Sequence, residues 1–150
     1  MKTVVQRVTQ ASVTVDRAVV GSIGRGAVLL VGVEEGDSLA DAEATARKIA
    51  KLRFFPGQTP MDQTLADVGG ACLVISQFTL AANIRKGNRP SFTKALDPEL
   101  ARPLYQRVID ELSRAGLATA TGSFGAHMDV ALVNDGPVTL IIQTREGRVL

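Results

Sequence analysis

Tryptophan is absent from this chain, cysteine and histidine occur once each (Cys72 and His127), and aromatic residues make up only 4%. A lone cysteine excludes an intrachain disulfide and favours a reducing compartment. One Cys and one His cannot build a zinc site that needs several such ligands. Any Ser-His-Asp or Cys-His arrangement would have to use His127. So few aromatics leave little for extensive stacking platforms on single-stranded nucleic acid. Long apolar runs are missing too. Ala27–Val33 spans only seven residues and includes Gly32, whereas a membrane-spanning helix needs about 20. The opening segment Met1–Arg7 has no apolar signal-peptide core. The chain therefore reads as cytoplasmic, with no membrane partner, no metal and no cofactor. Its net charge of +2 fits an RNA-backbone partner without requiring one.

What is present is a chain of 150 residues, 45% of them hydrophobic. That suits one domain, residues 1–150, able to bury about 70% of its unfolded surface. Runs rich in β-branched residues predict strands at Val4–Val8, Ala11–Val15, Ala18–Ile23, Ala27–Val33, Ala71–Leu80, His127–Val133 and Val138–Thr144. The glycines of Gly21–Gly26 lack the Gly-x-Gly-x-x-Gly spacing of a phosphate loop, so a hairpin turn is expected there. A first helix is predicted from Ser38 to about Arg53, with Ser38 and Asp41 as an approximate capping box and Leu39, Ala42, Ala46 and Ile49 on its apolar face. Phe54-Phe55 should anchor its exit, before the turn at Pro56-Gly57. A second helix is predicted over Pro98–Ala115, with Asp97 at its N-cap, Gly116 past its end, and Leu104, Val108, Leu112 and Ala115 facing inward. Gln58–Gly70 and Ala82–Lys94 read as loops. The expected fold class is α/β: mixed β-sheets with two main helices packed on them, in a single domain.

Two segments carry chemistry beyond architecture, Ser76-Gln77-Phe78-Thr79-Leu80 and Asn134-Asp135-Gly136-Pro137-Val138-Thr139. Taken alone, the second reads as an Asp-Gly hairpin turn with a trans proline opening an edge strand. Thr79 reads as a β-branched strand end, and Phe78 and Phe124 as base-packing or core residues alike. Arg7 reads as an exposed strand charge. Arg85, Lys86, Arg89 and Lys94 form a solvated basic loop. His127 fits the surface or a satisfied core, and Cys72, inside an apolar strand, an inert thiol.

Together with Gln6-Arg7-Val8, Ala11-Ser12-Val13, Gly69-Gly70, Arg89-Pro90-Ser91-Phe92, Gly122, Phe124-Gly125-Ala126 and Met128, these two segments stand in the order and spacing of one family. Over nearly its whole length the chain resembles the bacterial-type D-aminoacyl-tRNA deacylases. It departs from their pattern mainly in Pro56–Gln63, where a usual polar run is missing. The resemblance implies hydrolysis of the ester that joins D-amino acids, and glycine, to the terminal adenosine of tRNA. It implies a cytosolic homodimer with active sites at the subunit interface, proofreading translation by chirality. Gly136-Pro137 would then be a cis bond entering the partner's pocket and rejecting L substrates, with Arg7 holding the turn through backbone carbonyls. Ser76, Gln77, Phe78 and Thr79 would form the catalytic segment, Phe124 would join Gly136, Pro137 and Arg7 in substrate binding, and Arg85, Lys86, Arg89 and Lys94 would contact tRNA phosphates. For the chemistry two routes stand open. Thr79 is the side-chain nucleophile candidate, but it needs a base. Alternatively the adenosine 2′-hydroxyl assists a water while N–H groups near Phe78 and Thr79 hold the oxyanion.

Overall fold

Strand β1 (Lys2–Val15) is the spine of the molecule. A computed structural model describes all 150 residues. In it β1 pairs antiparallel with β2 (Ala18–Ile23) and β3 (Gly26–Gly32) along one edge, and with β6 (Asp129–Arg145) along the other. β4 (Ala71–Ser76) lies parallel to β3, and β5 (Ala118–Thr121) parallel to β4. A two-residue β7 (Arg148–Val149) closes a short hairpin on β6. The result is one mixed, seven-stranded sheet in the order β5-β4-β3-β1-β6-β7, with β2 attached to β1.

Both parallel connections carry a helix: α1 (Leu39–Lys51) between β3 and β4, and α2 (Pro98–Arg114) between β4 and β5. Parallel strands need such crossovers. The two helices share one apolar cluster with the sheet. Ala46 and Ile49 of α1, and Leu104, Val108 and Leu112 of α2, meet Leu29, Val31, Cys72 and Val74 there. The alternate residues Val28, Leu73 and Ile75 point to the opposite face and form a smaller core with Val8, Ala11 and Val13. The period of two along β3 and β4 produces this division.

Capping follows the sequence. Ser38 and Asp41 bond reciprocally at the start of α1, the carboxylate accepting from Ser38 N at 2.9 Å. Asp97 accepts from Glu99 N at 2.9 Å at the start of α2. Leu39 and Ala115, expected on the inward faces, are exposed. Both sit at helix ends, Leu39 opening α1 and Ala115 just past the last residue of α2.

Several expectations are corrected. β1 is one strand rather than two. Residues on its two halves face opposite cores, Val5 toward the helices and Ala11 and Val13 away from them. Odd residues change sides because the pairing slips between Val8 and Gln10, and one extra residue in a strand inverts the alternation beyond it. Gly21–Gly26 is not a hairpin turn. The reversal comes earlier, at Asp16 and Arg17, which both have positive φ, and β2 and β3 then run in series along β1. Gly26 is required by packing, since a Cβ there would overlap the Ala71 carbonyl oxygen of β4. The strand expected over Ala71–Leu80 stops at Ser76, and Phe78–Ala81 forms a single 3₁₀ turn. The two closing strands are one strand, β6, interrupted by a bulge. β5 and β7 had no clear sequence signal, being four and two residues long.

Candidate active site

The Ser76–Leu80 segment leaves the sheet where β4 ends against β3. Gln77 N donates to the Val31 carbonyl at 2.7 Å, the last ladder bond, and Leu80 N then donates to Gln77 O at 3.2 Å to close the 3₁₀ turn. The first N–H groups of such a turn, those of Phe78 and Thr79, have no acceptor within it. They form a local donor pair at the end of a buried strand.

Beside this turn lies a cavity of about 640 Å³, a size typical of small-molecule sites. Ser76, Gln77 and Phe78 form one wall, while Phe92, Tyr105 and Phe124 close other sides. Tyr105 is fixed from α2 by donating its hydroxyl to the Val74 carbonyl at 2.8 Å, and burial pushes its pKa up to about 12. Phe124 packs on Tyr105 with ring centroids 5.6 Å apart. The Arg102 guanidinium stands over its ring at 4.6 Å. Phe78 is 59% exposed, so it is a cavity rim residue and not core.

Thr79 is exposed. Its hydroxyl oxygen accepts from the Gln77 side-chain amide, and no carboxylate, imidazole or amine bonds to it. A nucleophilic hydroxyl needs a base to take its proton, and an amide N–H donor is the opposite of one. His127 lies on the cavity wall, but its ring is turned almost wholly to solvent, 3.8 Å from Asp129. Cys72 is buried, and burial pushes its thiol up to about 12, so it has no thiolate to offer at neutral pH. No three His, Cys, Asp or Glu side chains converge to hold a metal.

The second signature forms a separate structure. Gln6 pairs with Thr139 and Val8 with Asn134, so Arg7 alone faces Asp135, Gly136, Pro137 and Val138. These four residues loop out of β6. The Gly136–Pro137 peptide is cis and Gly136 has φ of +123°. Arg7 is buried, correcting the reading of it as an exposed strand charge. Its Nε donates to the Asp135 carbonyl at 3.1 Å, and its Nη1 to the Phe54 carbonyl at 2.6 Å. A Cβ on Gly136 would lie 2.7 Å from Arg7 Nη2. Phe54 and Phe55 are fully buried, as their position after α1 suggested.

Apart from Thr79, which does not line the cavity, the predicted residues thus fall into three groups. Ser76, Gln77, Phe78 and Phe124 meet at the cavity. Arg7, Gly136 and Pro137 meet at the bulge, and none of them lines that cavity. Arg85, Lys86, Arg89 and Lys94 lie exposed on the loop after the 3₁₀ turn, where Asn83 and Ser91 pair backbone to backbone at 2.7 and 3.0 Å. Sequence reasoning assigned no site role to Phe92, Tyr105 or His127. His127 carried a signal in its place beside the Phe124-Gly125-Ala126 run. Gly125 has φ of +80°, and this turn brings the residues after it to the cavity wall. Tyr105 carried only a helical-face signal that any core residue shares.

Known proteins resemble this chain over nearly its whole length. A family model described as D-Tyr-tRNA(Tyr) deacylase matches residues 4–143. A D-aminoacyl-tRNA deacylase from Thermomicrobium roseum is 54% identical over 149 residues, covering 99% of this chain and 97% of its own. Another, from Heliobacterium modesticaldum, is 51% identical over 148 residues, covering 98% and 99%. Among solved structures, one named c-Myc DNA Unwinding Element Binding Protein superposes with a TM-score of 0.89 at 39% identity, covering 96% of this chain and 99% of that one. A probable eukaryotic D-amino acid tRNA deacylase superposes with a TM-score of 0.78 at 15% identity, covering 93% and 97%, and supports the fold alone.

Proposed function

This chain belongs to the D-aminoacyl-tRNA deacylase family, and from that premise we propose that it hydrolyses D-aminoacyl-tRNA by a backbone-only filter for handedness. The observation that carries this reading is the bulge of β6, where Arg7 clamps Gly136–Pro137 through the Asp135 carbonyl. D- and L-aminoacyl esters carry the same groups, so only a rigid wall near the α-carbon separates them. Main-chain carbonyls of Gly136 and Pro137 are such a wall, since they cannot rotate away as a side chain would. They accept from the substrate ammonium and collide with an L side chain, rejecting one substrate without recognising the other's side chain. Glycine lacks a Cβ and escapes rejection.

The terminal adenosine occupies the cavity beside Ser76, Gln77, Phe78 and Phe124. A water, assisted by the adenosine 2′-hydroxyl, attacks the ester carbonyl carbon. The N–H groups of Phe78 and Thr79 hold the developing oxyanion. The bond from the carbonyl carbon to the ribose oxygen breaks, and that oxygen takes the proton, releasing the free D-amino acid and uncharged tRNA. Thr79 is not the nucleophile, because its hydroxyl has no base. The exposed charges of Arg85, Lys86, Arg89 and Lys94 neutralise tRNA phosphates, positioning the strand without reading its sequence.

The bulge and the cavity lie apart within one chain, so each site is completed by the bulge of a second copy in a homodimer. Two features support this. β6 pairs with β1 on one side and with β7 only at Thr144 and Arg145 on the other. Its open edge carries Ile141, 68% exposed, and such an edge is a ready site for another chain. The protein acts in the cytoplasm as a proofreader of mischarged tRNA. Hydrolysis of matched D- and L-tyrosyl-tRNA tests the whole reading. Rapid loss of the D ester alone is expected, and equal rates would remove the chiral wall. tRNA binding without turnover would instead favour a non-catalytic nucleic-acid binder; DNA binding is what the name of one structural relative, a DNA unwinding element binding protein, says of that relative.

A further inference from the structure

We propose that Phe92 is a stacking platform for the base that precedes the terminal adenosine of the bound RNA strand. The inference rests on the assignment of the cavity to that adenosine. Only six aromatic residues occur in the chain, five Phe and one Tyr. Phe54, Phe55 and Tyr105 are buried. Phe78 and Phe92 are exposed, by 59% and 36%, and both stand on the same cavity rim. Their rings meet edge to face, with centroids 5.1 Å apart and planes at 67°. In this arrangement each ring keeps at least one face that the other ring does not cover.

The backbone around Phe92 is held. Ala95 N donates to the Phe92 carbonyl at 2.9 Å, and Ser91 is paired with Asn83. Within the same loop stand Arg85, Lys86, Arg89 and Lys94, all exposed and none in an ion pair. An exposed aromatic face beside unpaired cations is the combination that holds single-stranded nucleic acid, by stacking and by phosphate neutralisation. A strand that leaves the filled cavity toward the basic loop crosses this rim, and the first base outside it meets Phe92. Stacking is tolerant of base identity, which suits an enzyme whose substrates end in a common single-stranded segment.

The test compares three D-tyrosyl esters: of adenosine, of the dinucleotide cytidylyl-adenosine, and of the same dinucleotide lacking the cytosine base but keeping the phosphate. Wild type, F92L and F92W are assayed, since Leu retains apolar bulk without an aromatic face. For F92L, KM for the dinucleotide ester should rise roughly five- to a hundredfold, the range for one lost base stack. Its KM for the adenosine and abasic esters should rise equally, through the lost cavity contact alone, and by at least about fivefold less than for the dinucleotide, and F92W should restore the dinucleotide value. Titration of the uncharged dinucleotide and its abasic analogue should give the same ratios with no turnover needed. Equal losses on all three esters, or no loss on any, would overturn the platform. Failure of wild type to cleave any D ester, with the dinucleotide titration still sensitive to Phe92, would overturn the deacylase reading and leave the platform standing.

Discussion

Arg7 and Asp135 lie 128 residues apart in sequence and meet twice, first through Arg7 Nε donating to the Asp135 carbonyl at 3.1 Å. The Asp135 carboxylate stands 3.2 Å from the same nitrogen. The other end of the guanidinium reaches the Phe54 carbonyl. One side chain therefore ties three places in the chain together, and the Gly136–Pro137 bulge depends on all of them.

Replacing Arg7 by Lys tests that dependence. An ammonium can satisfy one of the two carbonyls but not both, because it lacks the fork of donors. Loss of a charged hydrogen bond costs about 1.5–3 kcal/mol. Urea unfolding should show a loss of that order, and the ratio of D- to L-tyrosyl-tRNA hydrolysis should fall by about tenfold or more for a wall displaced by over 1 kcal/mol. An unchanged ratio in a folded variant would separate Arg7 from chiral selection.

The proposed completion of each site by a second copy makes a mixing experiment decisive. An Arg7→Ala chain has a damaged bulge and an intact cavity, and a Phe78→Ala chain the reverse. Each alone should be nearly inactive. Mixed and allowed to exchange, they should regain activity, because a heterodimer holds one intact site. Activity no greater than the sum of the separate variants would place bulge and cavity function within a single chain.

Thr79→Ala asks whether the hydroxyl attacks the ester. With only the Gln77 amide as partner, its removal should lower single-turnover hydrolysis by less than about tenfold. A loss of several decades with tRNA binding intact is what a covalent nucleophile would give. Substituting hydrogen for the terminal 2′-hydroxyl of the tRNA should then be the more damaging change.

The basic loop should reveal itself through salt. Alanine at Arg85, Lys86, Arg89 and Lys94 together should weaken tRNA binding. It should also flatten the plot of log affinity against log salt by about 0.7 for each lost contact with a single strand. Activity on a D-tyrosyl-adenosine fragment, which has no phosphodiester, should not change. An unaltered slope would leave the loop without a role in RNA binding.

Asp41 sets a pH dependence of stability. Burial raises its pKa, but bonds from Gly147 N and from both Ser38 donors outweigh this and leave it below the ordinary carboxylate value. A lowered folded pKa means the unfolded chain binds the proton more readily. The contribution is thus present above the unfolded value of about 3.9 and is lost as pH falls through the folded one. Asp41→Asn replaces one acceptor oxygen by a donor facing donors, costing about 1–3 kcal/mol near pH 7. Paired urea titrations at neutral and acid pH should show that deficit narrowing toward acid. A pH-independent difference would contradict the assignment.

Much of the fold was legible because its signals are local. The capping residues Ser38 and Asp97 started the two helices where periodicity placed them. The continuous apolar runs Ala27–Val33 and Ala71–Ile75 marked strands of the sheet interior. Legibility failed where one residue's partner is distant. The slip after Val8 joins two apparent strands into β1, and only pairing with β6 reveals it. Gly26 looked like a turn glycine, whereas its real constraint is the Ala71 carbonyl of β4.

The sequence by itself determined the family, through ordered fragments spread along the chain, and it singled out the short segments proposed to carry chemistry, because those segments are contiguous. Tertiary structure decided how they are grouped. It buried Arg7 against the Gly136–Pro137 bulge, placed Ser76–Phe78 at a cavity that the bulge does not reach, and brought Phe92 back onto Phe78. The physical reason is range. Helix caps and alternation act over a few residues, whereas a slipped strand register and a returning loop are fixed only when the whole sheet closes around its cores.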